Sequence, residues 1–432
     1  MRSKHHPLRA ALTALVAIAM MMVMAVPAFA AAPAKTQAPA ASLFEGGNGT
    51  EKDPYQIKTV AQMLAINLDL GASYELVGDI DFSGVEAWLP IGYYSIDIEA
   101  MMAGEETVPE ALSFHGTFNG NGYTLKNLTI AADLMGAGVF GFTSGNAKLY
   151  DVNLENIRTT SVLVAGSLIG WASGKTILNN IHATNVHNRA AAMAGCICGS
   201  SNGDVTVRNC TVTNSSATSG ISQLGNYTES VLGYGQAGGI IGGADGTSFE
   251  NCRVRDFKAI GKIEGSDGFG GLAGCANEAK YIRNCSVENV TVKVSAGSVG
   301  SIGGLVGFTG SEAGIKNASK VTKISGCSVK NVKIVTADAA EQIGGLVGGG
   351  TYRSDEQAQP FAYAVSNCSV INVAIKGGKY VGAVAGYLPA NSSVRSATVK
   401  GVKWNGKTFT KKVGASAKTV PYTQLTQFGG AL

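Results

Sequence analysis

The chain has 432 residues, including 58 Gly, and 45% of its residues are hydrophobic while 15% are charged. This composition is too apolar for a disordered protein and is typical of many short strands joined by tight turns. Of the 34 Lys and Arg residues, three lie in the first 30 residues, and the 31 that follow nearly balance 30 Asp and Glu. A nearly neutral chain argues against a nucleic acid or an anionic membrane as partner.

The N-terminus has the pattern of an export signal. Three basic residues precede an apolar run from Ala10 to Val26, and Ala28-Phe29-Ala30 supplies a small-x-small cleavage site. About 17 apolar residues followed by a processing site favour a signal peptide over a transmembrane anchor. We predict a signal peptide over residues 1–30 with cleavage after Ala30, and therefore a secreted or cell-surface protein. Residues 31–43 are predicted to be a flexible spacer, and no later stretch is apolar enough for a transmembrane segment.

Residues 44–124 are predicted to form an N-terminal cap and the first coils of a repeat array. Thr59-x-x-Gln62 has the form of a capping box, and Met63 and Ile66 follow at helical spacing. The open end of a strand stack would otherwise associate edge to edge. We therefore expect a short amphipathic helix to cover it.

Residues 125–402 carry two signatures that alternate along the chain. The first is a glycine unit such as Gly303-Gly304-Leu305-Val306-Gly307, and the second is a strand-like segment such as Ile324-x-x-Cys327-x-Val329. The last glycine of the first signature recurs at positions 141, 170, 199, 242, 274, 307, 348 and 386. A recurring unit with variable insertions is typical of a solenoid.

The residue types in these units favour strands over helices, because Val, Thr, Ser and Gly are weak helix formers. The last two apolar positions of the second signature have a period of two, so they point to one face of a strand. The three-residue step before them requires a bend, where an Asn often stands. Nine such strands, about 4.8 Å apart, give a rod roughly 40 Å long. The predicted fold is an all-β, parallel β-helix, with residues 403–432 as a C-terminal cap or tail.

The two signatures resemble the GLUG-motif repeats of secreted and surface-attached bacterial proteins. The resemblance extends over Phe44–Val402 and includes the upstream elements Asp53-Pro54-Tyr55, Trp88-Leu89-Pro90-Ile91-Gly92 and Phe114-x-Gly-Thr-Phe118. Similar proteins include adhesins, and the repeats also occur upstream of the protease domain in streptococcal immunoglobulin A metallopeptidases. The resemblance implies an extracellular, right-handed β-helix used for attachment or binding.

The chain departs from its larger relatives in two respects. It has no H-E-x-x-H motif, and His115, His182 and His187 are the histidines that follow the signal peptide. Its last residues, VPYTQLTQFGGAL, contain no L-P-x-T-G sorting signal. Neither a protease domain nor covalent cell-wall anchoring is therefore expected.

The cysteines are predicted to be structural. Five of them share one slot of the second signature with apolar residues, and the slot contains Leu128, Val152, Ile181, Cys210, Cys252, Cys285, Cys327, Cys368 and Ala397. This interchange favours a stacked ladder of free thiols in the core over four disulfides. The other three, Cys196, Cys198 and Cys275, lack the C-x-x-C or His partners of a metal site.

Two groups of polar residues permit a functional interpretation and a structural one. Asn209, Asn284 and Asn367 are formal glycosylation acceptors, but their repetition at a bend favours side-chain stacking along the rod. Asp79 and Asp81 share a strand face, yet one D-x-D pair is weak evidence for acid–base chemistry or Ca²⁺ binding. We predict no catalytic, metal or cofactor-binding residue.

We expect ligand-binding residues in the inserted loops, because a rigid scaffold commonly presents such residues on its loops. The segment Gly349–Ala364 combines aromatic and polar residues, and its candidate ligand-binding residues are Tyr352, Arg353, Asp355, Glu356, Phe361 and Tyr363. The leading hypothesis is a non-enzymatic adhesion or binding module for host or bacterial surface glycans or proteins. The alternatives are a carbohydrate-active β-helix enzyme, of the polysaccharide lyase or glycoside hydrolase type, and a purely structural spacer.

Overall fold

The computed structural model describes residues 43–93, 110–130, 134–220, 235–261, 266–294, 299–354 and 357–421. Its strands form three large sheets, here named A, B and C, and one separate hairpin. Neighbouring coils pair in parallel within all three sheets, as in the successive pairs of Ser286–Val294 with Ser328–Val335 and of Val306–Gly310 with Val347–Gly349. The all-β, parallel β-helix predicted from the repeats is confirmed.

Sheet A contains the strands Tyr55–Ile57, Ser73–Leu76, Ile80–Asp81, Thr117–Asn119, Thr124–Lys126, Thr129–Ile130, Lys148–Glu155, Arg158–Ser161, Ile177–Thr184, His187–Ala190, Thr206–Arg208, Thr211–Ser219, Ser248–Glu250, Arg253–Gly261, Tyr281–Arg283, Ser286–Val294, Thr322–Ser325, Ser328–Val335, Tyr363–Ser366, Ser369–Lys376, Ser393–Arg395, Thr398–Lys400, Lys403–Trp404 and Lys407–Thr408.

Sheet B contains Gly136–Ala137, Val164–Ala165, Met193–Gly195, Gln236–Gly238, Ser266–Phe269, Val299–Gly303, Ile343–Gly344 and Val381–Gly382. Sheet C contains Phe140–Thr143, Ile169–Gly174, Cys198–Gly203, Ile241–Asp245, Ala273–Asn277, Val306–Gly310, Val347–Gly349, Ala385–Leu388 and Val413–Ser416. The hairpin consists of Thr351–Ser354 and Gln357–Pro360. The helices are short: Val60–Ala65 and Glu312–Lys316 are α-helical, and Ile66–Leu68, Glu110–Leu112 and Ala318–Lys320 are 3₁₀.

Each glycine unit forms the corner between sheets B and C. In the unit Gly303–Gly307, the sheet B strand ends at Gly303 and the sheet C strand begins at Val306, while Leu305 is fully buried. A Cβ added at Gly307 would lie 2.6 Å from the carbonyl oxygen of Gly274 and 2.7 Å from that of Ser301. No larger side chain fits where the backbones of adjacent coils approach so closely.

Sheet A bends twice in each coil, at residues with left-handed backbone geometry. The first bend is formed by Asp151, Asn180, Asn209, Asn251, Asn284, Gly326, Asn367 and Ser396. The second bend is formed by Asn127, Asn156, Asn185, Asn214, Asp256, Asn289, Asn331, Asn372 and Gly401. Asn, Asp and Gly tolerate this geometry better than other residues do, and the bends divide sheet A into three segments.

The bend side chains hydrogen-bond from coil to coil. At the first bend, the Asn180 amide donates to Asp151 Oδ1 at 2.7 Å. At the second bend, Asn372 donates to Asn331 at 3.2 Å, and Asn331 donates to Asn289 at 3.1 Å. The structural interpretation of the repeated Asn residues therefore agrees with the geometry.

The alignment predicted for the first repeat, which begins at Leu125, is wrong: the repeat is displaced by one segment of sheet A. Leu125 pairs with Leu154 rather than with Leu149, so Leu128 stands in register with Ile157, after the second bend. Leu128 therefore does not belong to the cysteine slot. The error arose because Asn127 and Asn180 both precede an apolar residue, although they occupy different bends.

The cysteine slot follows the first bend and faces the core. Its five cysteines are at most 2% exposed, and none of the eight cysteines, all of them in the described part of the chain, forms a disulfide. The Cys327 thiol donates weakly to the carbonyls of Ile282 and Ser325, each at 3.4 Å. Burial raises the pKa of Cys285 above its usual value and that of Cys198 to about 12, so these two thiols form little reactive thiolate at neutral pH.

We expect thiol titration of the denatured, unreduced chain to find all eight cysteines free. The folded chain should react slowly, because every thiol is buried. Titration after treatment with a reductant serves as the control and should return the same number. A number that rises on reduction would show disulfides and contradict the ladder of free thiols.

Both ends of the described rod carry non-coil elements. The helix Val60–Ala65 begins at the predicted capping box, in which Thr59 and Gln62 bond each other's backbone, and Met63 and Ile66 are buried in the core. At the other end, Lys403–Trp404 pairs antiparallel with Lys407–Thr408. In the described part of the chain, no helix is long and apolar enough to cross a membrane. The predicted signal peptide lies outside the described residues.

Candidate functional site

The predicted binding segment contains the separate hairpin. Thr351–Ser354 and Gln357–Pro360 pair antiparallel, with Tyr352 opposite Gln359 and Arg353 opposite Ala358. The hairpin follows a sheet C strand and interrupts the path of that coil toward sheet A. Asp355 and Glu356 lie outside the described residues. The binding role of Tyr352, Arg353, Asp355 and Glu356 stays a prediction.

The other two candidate residues belong to the interior. Phe361 is 8% exposed, and its ring packs edge-on against Phe308 at a centroid distance of 5.4 Å. Tyr363 is fully buried, and its hydroxyl donates to the carbonyl of Tyr387 at 2.6 Å. A ligand cannot reach either ring in this arrangement, so their assignment to a ligand-facing surface is corrected. They anchor the base of the hairpin to the rod.

The outward face of the third segment of sheet A presents cations that the sequence patterns did not single out. In each coil, two side chains of this segment point outward, and coil pairing aligns them in two rows. Row 1 contains Arg158, His187, Ser216, Lys258, Thr291, Lys333, Ala374 and Lys403. Row 2 contains Thr160, Arg189, Thr218, Ile260, Lys293, Val335 and Lys376.

The cations of the two rows alternate. We name as the basic track the set Arg158, Arg189, Lys258, Lys293, Lys333, Lys376 and Lys403, in which successive members occupy row 1 and row 2 in turn. All seven are exposed, and neither row contains an Asp or Glu. None of the seven forms an ion pair with a described carboxylate. The result is a strip of uncompensated positive charge.

Two carboxylates of neighbouring strands, Glu288 before the second bend and Asp256 at it, are engaged by other residues. Glu288 forms an ion pair with Lys330 at 2.7 Å. Asp256 pairs with Arg255 at 3.2 Å and accepts the amide of Asn289 at 3.0 Å. Both carboxylates are therefore engaged by residues outside rows 1 and 2.

His187 reports the electrostatic environment of the track. Its ring nitrogens lie 2.9 Å from the Ser216 hydroxyl and 3.0 Å from Asn185 Oδ1. Burial lowers the pKa of His187, and the positive charges of Arg158 and Lys258 in the same row lower it further.

The described part of the chain shows no grouping typical of a metal centre. No three His, Cys, Asp or Glu side chains in it are placed to hold a metal ion. Asp81 accepts the amide of Asn127 at 2.9 Å, and Asp79 accepts the backbone N–H of Thr124 at 3.0 Å. The hydrogen bonds from Asn127 and Ser83 lower the pKa of Asp81 below its usual value. Both carboxylates thus stabilise the first coils.

Sequence comparisons show similarity to parts of two larger proteins, and no family model matches the chain. The chain is 32% identical over 112 residues to halomucin of Haloquadratum walsbyi, which covers 25% of this chain and 1% of halomucin. It is also 32% identical over 121 residues to a "Putative Gly-rich membrane protein" of Evansella cellulosilytica, covering 26% of this chain and 12% of that protein. The chain therefore spans a small part of the length of these curated relatives.

A comparison with solved structures finds one that aligns with most of this chain. It is titled as a putative immunoglobulin A1 protease from Bacteroides ovatus, and it superposes with a TM-score of 0.46 at 16% identity over 87% of each chain. The resemblance to GLUG-motif repeats stays a prediction.

Proposed function

We propose that the chain is an extracellular, non-enzymatic binding module that attaches to glycans or proteins at a bacterial surface or in its matrix. The observation that carries this proposal is the outward face of sheet A, where polar and charged side chains of successive coils stand in register rows. Such a surface repeats one arrangement of side chains along the rod and suits an extended ligand.

The rigidity of the rod supports this function. Outward side chains alternate with buried ones, as in Ser328–Val335, whose inward residues Val329, Val332 and Ile334 are at most 2% exposed. The backbone is held by ladders on both sides, so binding orders little of the chain. A preorganised surface loses less conformational entropy on association than a flexible one does.

The finer parts of the proposal rest on the sequence. Residues 1–30 have the pattern of a signal peptide, and the two alternating signatures resemble GLUG-motif repeats, which occur in adhesins. We propose attachment of the adhesin type, with the hairpin Thr351–Pro360 as a second contact surface beside sheet A.

The test uses the secreted chain, residues 31–432, on an array of glycans and matrix proteins. We expect saturable binding to at least one class of ligand and no release of reducing or unsaturated sugar from a panel of polysaccharides. A double variant, Tyr352→Ser with Arg353→Ser, measures the contribution of the hairpin without removing the buried Phe361 and Tyr363. Cleavage of a polysaccharide would overturn the non-enzymatic assignment, and an array without binding would overturn the binding function.

A further inference from the structure

We infer that the basic track is a binding surface for a linear acidic polysaccharide, whose carboxylates it contacts along the axis of the rod. The inference rests on the proposed binding function and names the class of ligand for one face. The track consists of Arg158, Arg189, Lys258, Lys293, Lys333, Lys376 and Lys403.

The geometry of the sheet sets the spacing of the charges. Adjacent coils are about 4.8 Å apart, and two outward residues of one strand are about 6.7 Å apart. Lys293 on row 2 is one coil beyond Lys258 on row 1, so their Cα atoms are separated by roughly 8 Å. The same step leads from Lys293 to Lys333 and from Lys333 to Lys376. The five lysines therefore form a zigzag with a regular step along the rod.

This arrangement has an electrostatic cost in the free protein. Charges about 8 Å apart lie within one Debye length at physiological ionic strength, so the cations repel one another. The two rows contain no carboxylate to offset that repulsion. A polyanion placed along the track would remove it and gain several weak contacts at once.

Charge over the neighbouring segment of the sheet has the same sign. Between the two bends, the exposed cations Arg253, Arg255, Lys330 and Lys400 outnumber the acids Glu155 and Glu288, and Asp256 stands at the second bend. Ion pairs within the sheet occupy Arg255 and Lys330. The overall charge of the chain is small, so the positive charge is concentrated on this face.

The residues between the cations favour a polysaccharide over a nucleic acid. Ser216 and Thr291 supply partly exposed hydroxyls that can hydrogen-bond sugar hydroxyls, and the rows contain no Phe, Tyr or Trp. Surfaces that bind single-stranded nucleic acids commonly combine basic residues with aromatic rings on which the bases stack. The rows also lack Trp, Phe and Leu, which commonly anchor a protein in a membrane surface.

The test measures binding of residues 31–432 to polygalacturonate, with dextran as the neutral polymer. The variant replaces Lys293, Lys333 and Lys376 with Gln, since all three are exposed and form no ion pair with a described carboxylate. Each exposed charge contact contributes roughly twofold to affinity, so we expect the dissociation constant to rise about tenfold. Added salt should weaken the wild-type binding more than that of the variant.

The matched control replaces Lys52, Lys58 and Lys175 with Gln. These lysines are exposed, lie away from the track and form no ion pair with a described carboxylate, so the change in net charge is the same. We expect the control to bind like the wild type. Equal loss in both variants, or loss in neither, would overturn the assignment of the track.

His187 gives a direct readout at the site. The groups that face it are Arg158, Lys258, Ser216 and Asn185. Bound carboxylates should counteract the positive charges and raise the pKa of His187, followed by NMR titration with polygalacturonate. The triple variant should need about tenfold more polymer for the same rise, because its affinity is lower. A wild-type titration unchanged by bound polymer would place the polymer elsewhere and contradict the inference.

Two further probes separate this inference from its rivals and from the proposed function. Tighter binding of single-stranded DNA, or of vesicles containing phosphatidylserine, than of polygalacturonate at the same salt would overturn the polysaccharide assignment. Binding of neutral glycans or matrix proteins on the array, without binding of acidic polymers, would overturn this inference and leave the proposed function standing.

Discussion

Replacing Gly307 with Ala should lower the stability of the rod by about 3 kcal/mol or more. The added Cβ would collide with the backbone nitrogen of Phe269 and lie 2.6 Å from the carbonyl oxygen of Gly274. Neither atom can move without shifting a strand of the coil before. We expect a lower thermal midpoint and faster hydrogen exchange in the sheet B and sheet C strands on both sides of this corner.

Gly78→Ala is the matched control for this substitution. A Cβ at Gly78 meets only the side chain of Lys58, at 3.7 Å, and the backbone there is not left-handed. Its stability should remain within about 0.5 kcal/mol of the wild type. If Gly307→Ala proved equally harmless, the close approach of adjacent coils at the glycine corners would be wrong.

Tyr363→Ala should destabilise the chain by about 3–5 kcal/mol, because it removes a fully buried aromatic ring. Tyr363→Phe should cost about 1 kcal/mol, since it loses the hydrogen bond to the Tyr387 carbonyl and keeps the ring. Urea unfolding of the three proteins measures both differences. Retained stability together with reduced ligand binding in Tyr363→Ala would restore the ligand-facing role that the burial of this residue argues against.

The repeats made the fold predictable because each coil repeats the same requirements. The glycine unit marks a corner where adjacent backbones touch, and the cysteine slot marks an inward position that accepts Val, Ile, Cys or Ala. Every copy therefore confirms the others, even though insertions vary the spacing. The second bend escaped detection, although Asn331 stands two residues after the segment Ile324-x-x-Cys327-x-Val329 and has left-handed geometry. Its Asn stands only four residues after the cysteine, so the two bends looked like one.

The errors at the candidate site have a different origin. Phe361 and Tyr363 lie in a polar insertion, and sequence pattern alone cannot show that the chain has already returned to the core at these positions. The basic track escaped because its five lysines are 27 to 43 residues apart in sequence. Averaging charge over the whole chain also concealed it. Pairing of the coils, which places Lys258 and Lys333 in one row, is what makes the track visible.

The alternation of the track makes the number of coils a functional variable. Its cations return to the same row after two coils, so insertion or loss of a coil pair would keep the pattern in phase. Insertion or loss of a single coil would shift the pattern out of phase. The coil that contains Ser216 and Thr218 contributes no cation to either row, and beyond it Lys258 starts again on row 1. Arg158 and Arg189 are therefore separated from the five lysines by a break in phase, which divides the surface into a short and a long binding stretch. Gene rearrangements that add coils in pairs would lengthen the long stretch and keep its cations alternating between row 1 and row 2.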